Sequence, residues 1–178
     1  MGIQIRTATQ TRAKNKNINY FLNENENMAW ILGFLASDGT VSSSRNTIKI
    51  GLSKKDKDIL ELIKQELELE NEIFEYETNN GFEVVELAWN CKEHKDALKN
   101  YGIVPNKTFC LIPPYKLNRN FWKDYLRGYF DGDGCVSRNS SNNAISFSIT
   151  SGTKDILEWI INFLNEDYNI PKVNIYKN

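Results

Sequence analysis

One twelve-residue stretch occurs twice in this chain, 95 positions apart, and the duplication constrains the fold more than any other feature. Ile31 to Ser42 reads ILGFLASDGTVS, and Leu126 to Ser137 reads LRGYFDGDGCVS. Five of the twelve positions are identical: Gly33/Gly128, Asp38/Asp133, Gly39/Gly134, Val41/Val136 and Ser42/Ser137. Each copy reads as a short apolar helix with a glycine in its middle. Asp-Gly ends it, with glycine suited to a helix C-cap or tight turn, and a strand follows. Repeating a helix that ends in a carboxylate is expected to bring two carboxylates together, the donors a divalent metal needs.

The repeat extends further. KDILELI at Lys57–Ile63 recurs as KDILEWI at Lys154–Ile160, now offset by 97, so two extra residues are expected in the Ser/Asn-rich turn 138–143. The first unit reads as a helix Met28–Ser37 and a hairpin of Val41–Ser44 with Thr47–Leu52. Ile48, Ile50 and Leu52 alternate with Thr47, Lys49 and Gly51 on the second strand. Ser53 with Asp56 resembles an N-cap box for a helix carrying Ile59, Leu60, Ile63 and Leu67. A second hairpin, Ile73–Thr78 with Phe82–Trp89, turns through Asn79-Asn80-Gly81; Phe74, Tyr76, Val85, Leu87 and Trp89 are expected to face the core. A helix Lys92–Tyr101 closes the unit.

The second unit repeats that order: a helix from near Arg119 to Gly132, a hairpin Val136–Thr150, a helix Thr153–Asn165 and a strand Pro171–Tyr176. The domain reading is a basic arm 1–27, a first repeat 28–102, a connector 103–118 and a second repeat 119–178 that is incomplete. Asn178 corresponds to Gly81, so the expectation is an unpaired strand edge in a truncated chain, or in one completed by something else.

At 178 residues, 40% hydrophobic and 12% aromatic, the chain has the composition of a folded globule. No apolar run approaches the roughly 20 residues of a membrane span, and residues 1–20 carry no apolar signal segment, so no membrane association is expected. Cys91, Cys110 and Cys135, with no CxxC spacing, and the single His94 argue against zinc and read as reduced thiols of an intracellular protein. Net charge is −1 and pI about 5.9, but the charges are segregated. Residues 1–22 carry Arg6, Arg12, Lys14 and Lys16 with no acid, residues 92–138 carry nine bases against five acids, and residues 66–86 carry acids and no base. Such segregation aims a field even when the sum is near zero.

Ala29, Gly33 and Ser37 in one motif helix, and Gly128 and Gly132 in the other, form small-residue stripes at i, i+4 spacing. Two helices packed along them approach more closely than the usual 8–10 Å between axes and end side by side, placing Asp38 next to Asp133. A carboxylate at a helix C-terminus opposes the macrodipole by about 0.3–1 kcal/mol, and two together repel. A divalent cation removes the conflict. Asp-Gly is also a common turn, a reading whose weight falls because the motif recurs in matching context. A calcium loop starting at Asp131 fails, with Cys135 and Val136 at its fifth and sixth positions.

ILGFLASDG and LRGYFDGDG resemble the motif of the LAGLIDADG homing endonucleases, of the two-motif, single-chain kind, and the likeness runs from Met28 to the end. The resemblance implies a duplicated αββαββα fold of α+β class. Its motif helices form a central pseudo-two-fold interface, and two antiparallel sheets make a saddle over double-stranded DNA. It implies catalytic acids at Asp38 and Asp133 binding Mg²⁺ (or Mn²⁺), with Gly39 and Gly134 beside them at the metal, and hydrolysis of one phosphodiester on each strand. It also implies a monomer with an internal pseudo-dimer, in the cytoplasm of a bacterial, phage or organellar system. Ala36 departs from the family's frequent Asp at the sixth motif position, which Asp131 keeps. Lys107 resembles the family's assisting lysine, although a lone connector lysine is as readily a solvated one.

Arg45, Asn46, Thr47 and Lys49 in the first copy, and Arg138, Asn139, Asn143 and Ser146 in the second, are the candidate DNA contacts, since Arg and Asn make bidentate contacts to guanine and adenine. Each taken singly is equally an ordinary turn residue. Glu72, Glu75, Glu77, Glu83 and Glu86 are expected to face away from phosphate, or that flank barely touches the duplex. The leading function is a metal-dependent, site-specific DNA endonuclease. The alternative is a non-cleaving nucleic-acid-binding relative, an RNA maturase or DNA-binding regulator; an ordinary α+β protein with a duplicated turn ranks third.

Overall fold

A computed structural model describes residues 16–138, 140 and 143–176. Helix α1 (Glu26–Ser37) starts where the Asn25 side chain accepts the Met28 N–H at 2.9 Å. Residues 28 to 36 of α1 are all buried. A helix that is apolar all round belongs at the centre of a protein, and helix α4 (Trp122–Asp133), led in by a 3₁₀ turn at Arg119–Phe121, packs along it.

Between them lies the first repeat: β1 (Gly39–Val41), β2 (Thr47–Ser53), α2 (Lys57–Glu66), β3 (Ile73–Glu77), β4 (Glu83–Asn90) and α3 (Lys92–Asn100). The four strands form one antiparallel sheet ordered β1-β2-β4-β3. Ile48 and Ile50, Val85, Leu87 and Trp89 are buried on one face, against Leu60 and Ile63 of α2 and Leu98 of α3. The helix after β2 is not capped by Ser53, whose side chain makes no cap hydrogen bond; a 3₁₀ turn at Lys54–Asp56 intervenes. Phe74 and Tyr76 do not face the core. They pair with Glu86 and Val84, so Ile73, Glu75 and Glu77 take the helix-side face and both rings stay about half exposed. Lys54 and Lys57 pair with Glu75 there at 3.5 and 2.9 Å.

The second repeat continues with β5 (Gly134–Arg138), β6 (Ile145–Ile149) and α5 (Lys154–Tyr168). Ile156, Trp159, Ile160 and Phe163 bury one stripe of α5, and Trp122, Tyr125, Trp159 and Phe163 pack ring to ring. The ladder pairs Val41 with Ile48 but Val136 with Phe147. Four extra residues therefore sit in the second hairpin, not two, and the stretch from Ile149 to Lys154 is two residues shorter than that from Ile50 to Lys57. This hairpin is little covered: Val136 is 57% and Phe147 71% exposed, where Val41 and Ile48 are buried.

No strand forms at 171–176. The corresponding β3 of the first repeat hydrogen-bonds only to β4, and among the described residues the second repeat's sheet holds β5 and β6 alone. The described part of the expected basic arm is docked: Tyr20 and Phe21 are buried, Lys16 Nζ donates to Asn90 O at 2.9 Å, and Asn17 N donates to Leu67 O at 3.1 Å. Arg6, Arg12 and Lys14 lie outside the described residues.

Candidate active site

The two motif helices meet backbone to backbone. A Cβ on Gly33 would overlap Tyr125 O and stand 2.9 Å from Tyr129 N; a Cβ on Gly128 would overlap Trp30 O and stand 2.9 Å from Phe34 N. The two contacts map onto each other by the repeat offset of 95, which makes the crossing pseudo-two-fold. One turn on, a Cβ on Gly132 would overlap Ser37 Oγ and Asp38 Oδ2, so the crossing carries Asp38 directly against the end of α4. Gly39 and Gly134 are not left-handed caps, as neither has a positive φ. Each sits where a Cβ would strike the carbonyl four residues back, Leu35 O and Phe130 O.

At these helix ends Asp38, Asp133 and Lys107 form one electrostatic unit. Burial holds the Asp38 carboxyl above the usual carboxylate range and the Asp133 charge raises it further, against the pull of Lys107. Burial likewise raises Asp133, opposed by Lys107 and by Tyr129. Burial lowers Lys107 from the usual lysine range while both carboxylates pull it up. Lys107 is buried, enters from a 3₁₀ turn at Lys107–Phe109, and donates to Ser37 O at 2.9 Å. Burial thus disfavours the charged form of all three groups.

Two participants were not legible in the motif. Tyr129, where the first copy has Phe34, lies beside Asp133 with its hydroxyl donating to Ser151 Oγ at 3.1 Å, and burial first of all pushes it up to about 12. Trp30 Nε1 donates to Asp131 Oδ2 at 2.7 Å, tying α1 to α4 at the position where the first copy has Ala36. The only signals were a Phe/Tyr and an Ala/Asp difference between copies.

The LAGLIDADG-like domain pattern matches residues 25–87 and 121–170. This chain belongs to that family. Among curated relatives, the uncharacterized protein MJ0314 of Methanocaldococcus jannaschii is 26% identical over 195 residues, covering 99% of this chain and 69% of its own length. Among solved structures, the homing endonuclease I-WcaI bound to its DNA recognition sequence is similar with a TM-score of 0.54 at 15% identity, covering 85% of this chain and 73% of its own. The N-terminal LAGLIDADG domain of DUF199/WhiA is similar with a TM-score of 0.52 at 15% identity, covering 86% and 73%. The LAGLIDADG fold of this chain is therefore one shared by homing endonucleases and by WhiA.

Within this LAGLIDADG protein the expected DNA contacts scatter. Arg45 and Asn46 are exposed in the β1–β2 turn, which Lys95 clamps by donating to Ser42 O and Arg45 O at 2.7 Å each. Thr47 and Lys49 share the open face of the sheet, and Lys49 is paired with Glu86 at 2.9 Å. Ser146 shares a face with Ser137, their hydroxyls 2.7 Å apart, while Arg138 falls on the opposite face with Ile145. Asn143 is exposed with φ +55°, and Asn139 lies outside the described residues. Of the acidic flank, Glu75 and Glu83 are held by Lys54 on the helix side, and Glu86 faces outward within its pair with Lys49. His94 is buried with both ring nitrogens hydrogen-bonded, to Trp89 Nε1 at 3.1 Å and Asn17 O at 2.7 Å; the three cysteines are free. Among the described residues no helix is long and apolar enough to cross a membrane.

Proposed function

We propose that this chain is a site-specific double-strand DNA endonuclease that works with Mg²⁺ or Mn²⁺ at Asp38 and Asp133. The observation that carries the reading is the meeting of two acidic helix ends whose carboxyls are both held above their usual range, with one buried lysine beside them. The donor set suits Mg²⁺, which takes one or two carboxylates and keeps its other positions for water and phosphate oxygens. Among the described residues there is no cluster of three or more His, Cys, Asp and Glu to form an all-protein cage. Asp38 and Asp133 would hold the ion with the backbone at Gly39 and Gly134, and the ion would supply Lewis-acid stabilisation of charge developing on the phosphate.

The rest is work for the chain's own groups. Lys107, oriented by Ser37 O, would hold a positive charge near the scissile phosphate or orient the attacking water there. The saddle arrangement, the repeat boundaries 28–102 and 119–178, and the DNA contacts at Arg45, Asn46, Thr47, Lys49, Arg138, Asn139, Asn143 and Ser146 belong to the same proposal. A second reading, a non-cleaving nucleic-acid binder, is favoured by the exposure of Val136 and Phe147, which leaves the second hairpin less supported than the first.

The deciding experiment incubates the protein with a plasmid carrying the coding sequence's uninterrupted insertion site. Cleavage in Mg²⁺, its absence in Ca²⁺, and its loss in Asp38→Asn or Asp133→Asn support the nuclease. Tight binding in Ca²⁺ with no cutting in Mg²⁺ supports the binder.

A further inference from the structure

Within the DNA reading above, we propose that the outer part of the first sheet's open face reads thymine methyl groups in the major groove. Phe74 and Tyr76 of β3 stand on that face beside Glu86 and Val84, and Gly51 stands on the other side of Glu86. The rings are 47% and 49% exposed. Gly51 has no reason within the chain to be glycine. A Cβ there would meet only Val85 O, at 4.0 Å, and its φ is not in the left-handed region. A bare glycine inside a strand marks a place where a ligand or another backbone approaches closely.

The patch is also electrically quiet. Glu86 and Lys49 neutralise each other at 2.9 Å, and Glu75 and Glu83 are turned to the other face, where Lys54 holds them. Arg and Asn donors read guanine and adenine; a neutral, apolar, notched surface suits the thymine C5-methyl, the apolar group on the major-groove edge. β1 follows directly from Asp38 and β3 is the outermost strand, three strand spacings or about 14 Å away. The thymines therefore belong at the outer end of the half-site, away from the cleavage centre.

The test selects bound sequences from a random duplex pool in Ca²⁺, then replaces outer-flank thymines of the enriched duplex with deoxyuridine, which removes only the methyl. Wild-type binding is expected to weaken about three- to fourfold per methyl, the value of burying one carbon. The Phe74→Ser/Tyr76→Ser double variant should bind both duplexes alike. Gly51→Val, which has room to fold and should melt no lower than wild type, should bind DNA at least tenfold more weakly by blocking the approach. Equal wild-type affinity for the thymine and deoxyuridine duplexes overturns the proposal, as does a Gly51→Val protein that binds normally. Failure to enrich any duplex instead overturns the DNA reading itself and this proposal with it.

Discussion

Gly33→Ala and Gly128→Ala put a methyl into the α1–α4 crossing, where the obstacle is not a side chain that can swing aside but the backbone of the facing helix. Carbon atoms in proteins rest about 3.5–4.0 Å apart, yet the new Cβ at Gly33 would stand 2.9 Å from Tyr129 N and overlap Tyr125 O. The helices must part by about 1 Å or more. Overpacking costs typically 1–3 kcal/mol, and a backbone obstacle argues for the top of that range. The gain in helix propensity on replacing glycine with alanine returns about 1 kcal/mol. The net loss is therefore about 2 kcal/mol, which for a chain of this length lowers Tm by roughly 4–8 °C.

The control lies in the same molecule. Gly51→Ala, open to solvent, should leave Tm unchanged or raise it. The Gly33→Ala/Gly128→Ala double variant should lose less than the sum of the single losses, because parting the helices for one methyl makes room for the other. Thermal melts followed by circular dichroism give all four values. Parting the helices also separates Asp38 from Asp133, and a misplacement of about 1 Å at a reacting centre costs on the order of 100-fold in rate. If both alanine variants melt like Gly51→Ala, the helices do not meet through their glycines and the argument for adjacent carboxylates fails with them.

Asp38→Asn and Asp133→Asn should abolish Mg²⁺-dependent cutting yet raise Tm at neutral pH, since both folded carboxyls hold protons more tightly than the ordinary value of 3.8. The sign follows from that direction: the charged pair costs stability above the raised values, and the cost fades as pH falls through them toward 3.8. A wild-type minus Asp38→Asn/Asp133→Asn difference in Tm that is flat across that acidic window would contradict it. Lys107→Met should cut on the order of 100-fold more slowly with DNA binding retained, judged by single-turnover cleavage against filter binding. Trp30→Phe removes the hydrogen bond to Asp131 and should cost about 1 kcal/mol in denaturant unfolding. Tyr129→Phe should alter the nicking rate of one strand only, read with each strand separately labelled, because Tyr129 adjoins Asp133 and not Asp38.

The duplication carried the architecture in the sequence: two motif helices, small residues between them and adjacent acids follow from spacing alone. What stayed hidden depends on partners remote in the chain. The parity of β3 is not written in its own residues: Phe74 and Tyr76 alternate as a core strand's would, yet the register places Glu75 on the helix side, where Lys54 and Lys57 pair with it. Phe21 docks edge-on to His94, and Tyr20 donates its hydroxyl to Glu66, partners remote in the chain that no local pattern announces. The glycines of Asp-Gly suit a helix C-cap or tight turn in the sequence, but with no positive φ their use is clearance from the carbonyl four residues earlier. Tyr129 and Trp30 take their roles from the helix crossing, so nothing in their own segments announces them.

The electrostatics of the helix ends and the packing of the crossing pull in opposite directions, and that opposition separates this site from an ordinary core contact. The glycine-to-backbone packing brings the two helix ends together, and in doing so it sets Asp38 and Asp133 close to each other and to the buried Lys107. Lys107 cannot relieve both carboxylates, since one positive charge faces two negative ones and its Nζ is also given to Ser37 O. Replacing either acid with its amide, a neutral group of the same shape, would remove the repulsion and leave the crossing in place. Keeping both acids, one in each copy, leaves a net negative charge beside a single lysine. A second positive partner brought in with a phosphate would relieve it.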